Sequence, residues 1–241
     1  MIKAYYVKSI QGPFYNINED NYIVSLSNRL FGIVDGMGGS GIGDRDVEVF
    51  IEQLKQNYGF INKDRDATLK FYYDEKRSVE CNFLLNALYK MHADWFKSNS
   101  TKVISQRSAA SVLIAVEHDE NISIISVGSN SAYYLNSQNE MIPLLVPDDS
   151  SNLFPNSLIK WPLSAMGMTE HIQWQIREIK KSSGKAIFFF TDGVLDNLKP
   201  KEVGEIFLTN QVSLKDCCNK ILLQANAMKF SDNQTAMILK L

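Results

Sequence analysis

The chain has 241 residues, 45% of them hydrophobic and 11% aromatic, enough to bury one substantial core over residues 1–241, with two small domains as the alternative. A charged fraction of 22% and a formal net charge of −2 exclude a basic nucleic-acid footprint and an acidic disordered tail. The odd trio Cys81, Cys217 and Cys218 forms neither a disulfide framework nor a zinc pattern, the start lacks a signal peptide's regions, and no apolar run nears the roughly 20 residues of a membrane span, so a cytoplasmic protein with no nucleic-acid or membrane partner is expected.

Alternation of Ile2, Ala4 and Tyr6 with Lys3, Tyr5 and Val7 predicts a first strand. Two β-rich runs, Tyr22 to Leu26 and Leu30 to Val34, flank Ser27-Asn28-Arg29 and predict a hairpin. The second run ends in Asp35-Gly36-Met37-Gly38-Gly39-Ser40-Gly41, whose glycines predict a loop with unusual backbone angles. Helical spacing follows in Val47, Phe50, Ile51 and Leu54, and again in Val79, Phe83, Leu84, Leu88, Met91 and Trp95.

Strands return at Ser111 to Val116, Ile122 to Val127, Ala132 to Leu135 and Met141 to Leu145. Residues 146–160, with Pro147, Pro155, Asp148, Asp149 and Ser150, read as a surface loop, and Ile172, Trp174 and Ile176 as a strand. Lys185 to Phe190 is an apolar strand ending in Thr191-Asp192-Gly193. Pro200 opens a helix, Ser213 caps another carrying Leu214, Cys217, Ile221, Leu222 and Ala225, and Ala236 to Leu241 closes the chain as a strand after Ser231-Asp232-Asn233. Adjacent strands with helices in pairs between them predict antiparallel sheets with helices outside, an α+β architecture.

Asp35, Asp192 and Asp232 share a context: each adjoins the end of an apolar strand, and Glu19-Asp20 precedes another. Any one Asp-Gly pair alone reads as a turn. Carboxylates at several strand ends can converge at a sheet edge, where they repel unless a proton or cation lies between them. Mg²⁺ and Mn²⁺ prefer such oxygen ligands. His92 reads as structural, the three cysteines as core, and Phe188-Phe189-Phe190 as a buried strand.

The motifs Asn18-Glu19-Asp20, Val34-Asp35-Gly36-Met37-Gly38-Gly39, Ser126-Val127-Gly128 with Ala132-Tyr133-Tyr134-Leu135, Pro162-Leu163-Ser164-Ala165-Met166-Gly167, Thr191-Asp192-Gly193 and Ser231-Asp232-Asn233-Gln234-Thr235 resemble, in order, those of the metal-dependent protein phosphatases, the type 2C serine/threonine phosphatases, in their bacterial form. The resemblance implies an α-β-β-α sandwich of two mainly antiparallel sheets flanked by helix pairs, with two divalent cations, Mn²⁺ or Mg²⁺, at one end. It implies that Asp35 bridges both ions, the Gly36 carbonyl binds the second, and Asp192 and Asp232 bind the first. Glu19 and Asp20 would hold metal-bound waters, Asn233 would orient the last loop, and Asp35 and Asp20 would be the catalytic pair. The implied reaction is direct attack on a phosphoserine or phosphothreonine by a water bridging the metals. The implied partner is a phosphoprotein made by a cytoplasmic serine/threonine kinase, and the implied state a monomer.

Two positions depart from the pattern. Tyr15 stands where the family carries a phosphate-binding arginine, three residues before Asn18, with Arg45 or Lys8 as candidate substitutes. Ser129, in Gly128-Ser129-Asn130-Ser131, stands where relatives have an aspartate for a third metal, so a third site is expected to be weak or absent. These departures motivate a second reading, a pseudophosphatase that binds a phosphoprotein with weak or no turnover.

Overall fold

A computed structural model of the chain describes residues 2–38, 41–64, 68–154, 160–227 and 232–241. Gly39, Ser40, Pro155 and Ser231, which figured in the sequence motifs, lie outside the described residues. Among the described residues, ten strands form two five-stranded sheets. One sheet runs β1 (Ala4–Ile10), β10 (Gln234–Lys240), β9 (Gly184–Phe190), β6 (Ser131–Asn136) and β7 (Met141–Leu145). The other runs β2 (Asp20–Ser25), β3 (Leu30–Gly38), β4 (Ser108–His118), β5 (Asn121–Val127) and β8 (Gln175–Lys180). Every paired neighbour is antiparallel.

The period-2 side-chain pattern builds the layers. On β3, Phe31 and Ile33 face the opposite sheet while Leu30 and Val34 face helices; on β9, Ile187 and Phe189 face inward while Phe188 and Phe190 face helices. Both faces of both sheets are therefore apolar, which is why these strands read as continuous hydrophobic runs. Helices α1 (Ile42–Lys63) and α2 (Val79–Ser100) cover one sheet. Helices α3 (Asp192–Leu195), α4 (Pro200–Thr209) and α5 (Leu214–Asn226) cover the other. The result is the expected α-β-β-α sandwich. Ser213 caps α5 by accepting from the Asp216 N–H at 3.1 Å, as its position before the helix predicted. Among the described residues no helix is long and apolar enough to cross a membrane.

Three sequence expectations need correction. Asp35 to Gly38 is not a loop: β3 continues through these residues, pairing Asp35 with Ser111 and Gly38 with Ser108. Gly36 keeps an ordinary backbone angle, and its lack of a side chain serves close approach instead. A Cβ there would meet the Glu19 carbonyl at 2.7 Å and Val47 Cγ2 at 2.8 Å. Among the described residues of that glycine-rich stretch, Gly41, after the strand, is the one with a positive φ, at 77°, and it opens α1. Secondly, Ile172 and Trp174 precede β8 and pack against the cluster under α2, with Trp174 edge-on to Tyr89; their alternation reflects burial without strand pairing. Thirdly, residues 146–160 are not all surface: Asp149 and Ser150 are buried, and the Asp148 N–H donates to the Gly128 carbonyl at 2.9 Å.

Cys81, Cys217 and Cys218 are buried thiols, all pushed up to about 12 by burial, which leaves them inert as nucleophiles. His92 is buried and its Nδ1 accepts from the Gly167 N–H at 3.2 Å; burial lowers its pKa, so it serves as a neutral acceptor joining α2 to the 162–167 segment.

Candidate metal centre

The acidic residues meet because their strands end at one edge. Asp20 opens β2 directly opposite Asp35 on β3, and Asp35 faces Ser111 on β4. On the other sheet, β9 delivers Thr191 and Asp192, and β10 follows Asp232 and Asn233. The sandwich thus brings Asp20, Asp35, Asp192 and Asp232 together from four chain segments.

Asp20 is buried, and its Oδ2 accepts from Thr191 Oγ1 and Thr235 Oγ1, each at 2.9 Å. These bonds tie the two sheets together at the site. Burial pushes the Asp20 carboxyl up to about 7, against the lowering effect of the two hydroxyls. Burial likewise raises Asp35 well above the usual carboxylate range, and the charges of Asp192, Asp20 and Asp232 raise it further. Asp192 is pushed up to about 7, first by burial and then by Asp232 and Asp196; Asp232 also rises, mainly through burial. The charges that act most strongly on Asp20 and Asp35 are the other carboxylates, so this edge strongly favours a proton or a cation.

Ser129 lies between two of these groups. Its Oγ donates to Asp35 Oδ2 at 3.3 Å and also reaches Asp192. Ser129 is itself held by Ser111: the Ser129 N–H donates to Ser111 Oγ at 3.1 Å and the two hydroxyls lie 3.0 Å apart. Gly128 makes this approach available, with φ at 95° and no room for a Cβ beside the Ser111 hydroxyl. Next in the chain, Asn130 is fully buried and neither its Oδ1 nor its Nδ2 has a partner. A bound water or ion commonly satisfies such a buried amide.

Glu19 has a structural task. Its carboxylate accepts from the backbone N–H groups of Gly38 and Gly43, closing the start of α1, and its carbonyl accepts from the Gly36 N–H at 3.2 Å. Asn233 accepts from the Gly12 N–H at 3.1 Å and donates to the Ile17 carbonyl at 3.2 Å, so it orients the β1–β2 loop. That loop places Tyr15 at the cluster, where its hydroxyl hydrogen-bonds Asp232. Burial and the charges of Asp232, Asp192 and Asp35 raise the Tyr15 pKa, so it stays a neutral donor.

Among the described residues, no three His, Cys, Asp or Glu side chains already close around one point as an ion's ligands do. The fit to divalent cations therefore rests on donor chemistry. Four converging carboxylates supply hard oxygen ligands whose ionised forms are costly without a cation. Asp20 and Asp35 are partnered by hydroxyls, which an ion can displace, while Asp192 and Asp232 also accept from the backbone N–H groups of Gly193 and Asn233. By that test the residues fit. Reading the sequence missed Ser111, Thr235 and Asp196. Two of them left a signal: Thr235 closes the motif that begins at Ser231, and Asp196 stands four residues after Asp192, one helical turn on.

Two antiparallel five-stranded sheets between helix layers match the fold of the bacterial serine/threonine phosphatases. The chain superposes on a bacterial serine phosphatase with a TM-score of 0.78 at 16% identity, covering 98% of this chain and 96% of that one. PppA, a key regulatory component of T6SS in Pseudomonas aeruginosa, matches with a TM-score of 0.78 at 14% identity over 99% of this chain and 97% of PppA. The serine/threonine phosphatase Stp1 from Staphylococcus aureus matches with a TM-score of 0.76 at 16% identity over 100% and 95%. No family model and no curated protein matches the sequence. The resemblance first seen in the motifs thus holds in three dimensions, as a shared fold.

Proposed function

We propose that this chain is a divalent-cation-dependent phosphatase of phosphoserine and phosphothreonine in proteins, organised as one domain over residues 1–241. The observation that carries the proposal is the convergence of Asp20, Asp35, Asp192 and Asp232, with burial raising all four, at one edge of a phosphatase fold. Asp35, Asp192, Asp232 and the Gly36 carbonyl would hold two ions, Mn²⁺ or Mg²⁺, while Glu19 and Asp20 would hold their waters. When bound, such ions neutralise phosphoryl charge and lower the pKa of water, the chemistry that ester hydrolysis needs. The chain's own residues prepare the site. Thr191 and Thr235 orient Asp20, and Ser129 restrains Asp35 and Asp192. Gly36 lets β3 close on Glu19. Ser129 is a neutral ligand where a third ion would need charge, so the proposal is for two ions. The partner would be a phosphoprotein made by a cytoplasmic kinase, met by a cytoplasmic monomer that engages neither nucleic acid nor membrane.

The direct test is hydrolysis of an aryl phosphate and of a phosphothreonine peptide with Mn²⁺ added. Turnover lost on chelation and restored by Mn²⁺ is expected. A folded protein that binds metal and shows no turnover would remove the enzyme claim.

Tyr15 favours one further reading, the pseudophosphatase. Its neutral hydroxyl holds Asp232 at the position where an arginine would grip phosphate. Tyr15→Arg would add a bidentate, charged phosphate donor. An increase in kcat/KM of about tenfold or more is expected, since a charged hydrogen bond contributes about 1.5–3 kcal/mol. No gain would leave the binding-module reading in place.

A further inference from the structure

The acidic edge needs a cation of the protein's own if a phosphate ester is to be oriented there, and Tyr15 brings none. The two substitutes named from the sequence do not reach it. Lys8 donates to Asn219 Oδ1 at 2.8 Å, on the α5 side of the first sheet. Arg45 is exposed on α1, and among the described residues no contact joins it to the acidic cluster.

Lys160 stands differently. Its ammonium forms an ion pair with Asp196. Asp196 is one turn from Asp192, with its N–H donating to the Asp192 carbonyl at 2.9 Å. The charges of Asp196, Asp149 and Asp192 all act on the Lys160 ammonium. The chain beside Lys160 is tied to the site. The Trp161 N–H donates to Ser150 Oγ at 3.1 Å, the Ser150 N–H to the Trp161 carbonyl at 2.8 Å, and the Leu163 N–H to the Asp148 carbonyl at 2.9 Å. Asp148 in turn bonds the carbonyl of Gly128, the residue before Ser129. Lys160 is therefore an exposed cation, beside an anchored segment, paired with an aspartate one helical turn from Asp192.

We propose that Lys160 is the phosphate-binding cation of this chain, exchanging Asp196 for the phosphoryl oxygens of a substrate seated over Asp35 and Asp192. The proposal rests on the phosphatase reading. A surface pair such as Lys160–Asp196 contributes little to stability, so its place beside the site is better explained by binding. An ammonium is a compact point charge and cannot grip two oxygens in one plane as a guanidinium does. Asp196 competes with phosphate for it.

The test is calorimetric titration of inorganic phosphate into the full chain loaded with Mn²⁺, beside steady-state hydrolysis of an aryl phosphate. Lys160→Ala should weaken phosphate binding roughly 10-fold or more and raise KM with kcat little changed, as loss of uniform binding does. Lys160→Arg should restore both, and Asp196→Asn should tighten phosphate binding. Unchanged phosphate affinity in Lys160→Ala, or no phosphate binding by the unmodified chain, would overturn the proposal. The two claims separate: turnover with an unaltered KM in Lys160→Ala overturns the role of Lys160 and leaves the phosphatase reading standing. Phosphate binding that depends on Lys160 without any turnover supports that role and removes the phosphatase.

Discussion

Asp192→Asn is expected to reduce phosphate-ester hydrolysis about a thousandfold or more while raising the melting temperature of the metal-free protein. The two effects share one cause. Asp192 opens α3 at the end of β9, and burial together with the charges of Asp232 and Asp196 pushes it up to about 7. Ionised and without a cation, it opposes folding; an amide at the same position does not. Its folded pKa lies above the ordinary value of 3.8, so the cost is absent at low pH, grows as pH rises through 3.8 toward about 7, and is complete above that. The stabilisation by Asp192→Asn should therefore be larger at pH 8 than at pH 4. A relief of about 1 kcal/mol corresponds to roughly 2–4 °C for a chain of this size. Turnover falls because an amide is a weaker, neutral metal ligand, and a bound cation supplies several kcal/mol of transition-state stabilisation, with each 1.36 kcal/mol worth about tenfold. Asp35→Asn should behave alike. Melting in chelator and activity in Mn²⁺, run side by side, check the pair of signs. Retained activity in either variant would mean that the ligands are wrongly assigned.

Phe188→Ala is expected to cost about 3–5 kcal/mol, the largest stability loss foreseen for a single core truncation. Phe188 is fully buried on the helix-facing side of β9, edge-on to Phe207 of α4 with centroids 5.2 Å apart, and stacked on Phe190 at 6.1 Å. Its removal leaves a cavity between β9, α4 and α5 that the flanking residues of a two-sided strand cannot easily fill. A fall in melting temperature of roughly 10 °C or more follows. Phe60→Ala, at a side chain 79% exposed on α1, should change stability by no more than about 0.5 kcal/mol. Equal losses in the two variants would mean that the layer assignment of β9 is wrong. Because Thr191 and Asp192 directly follow β9, Phe188→Ala should also weaken Mn²⁺ binding.

Where strands carried both an apolar run and a turn signal, the sequence was enough to place them. Met141–Leu145 appears as expected, Pro200 opens α4, and Ser213 caps α5. Asp20, Asp192 and Asp232 were legible because each adjoins the end of a core strand, whereas Asp35, read in the same way, lies inside β3. What could not be read was pairing across the sheets. Glycines that suggested a loop at Asp35 to Gly38 instead allow β3 to lie close against Glu19 and Val47, a requirement set by neighbours distant in sequence. Ile172 and Trp174 alternate because one face is covered by α2, and burial of that kind imitates a strand. Ser111 looks ordinary among many serines, and nothing at Ser129 or Thr235 in the sequence says which carboxylate each hydroxyl meets. Only the register of β3 on β4, and the closing of one sheet on the other, shows which hydroxyls meet Asp20 and Asp35. Lys160 and Asp196 are 36 residues apart and carry no shared motif.

The central claim is that the acidic edge formed by Asp20, Asp35, Asp192 and Asp232 holds a pair of divalent cations. A crystal of the Mn²⁺-loaded protein, with anomalous scattering to locate the ions, tests it most directly. Two Mn²⁺ roughly 3.5–4 Å apart with Asp35 bridging them is the predicted result. A folded protein with no ion at this edge, or with one held without Asp35, would contradict it.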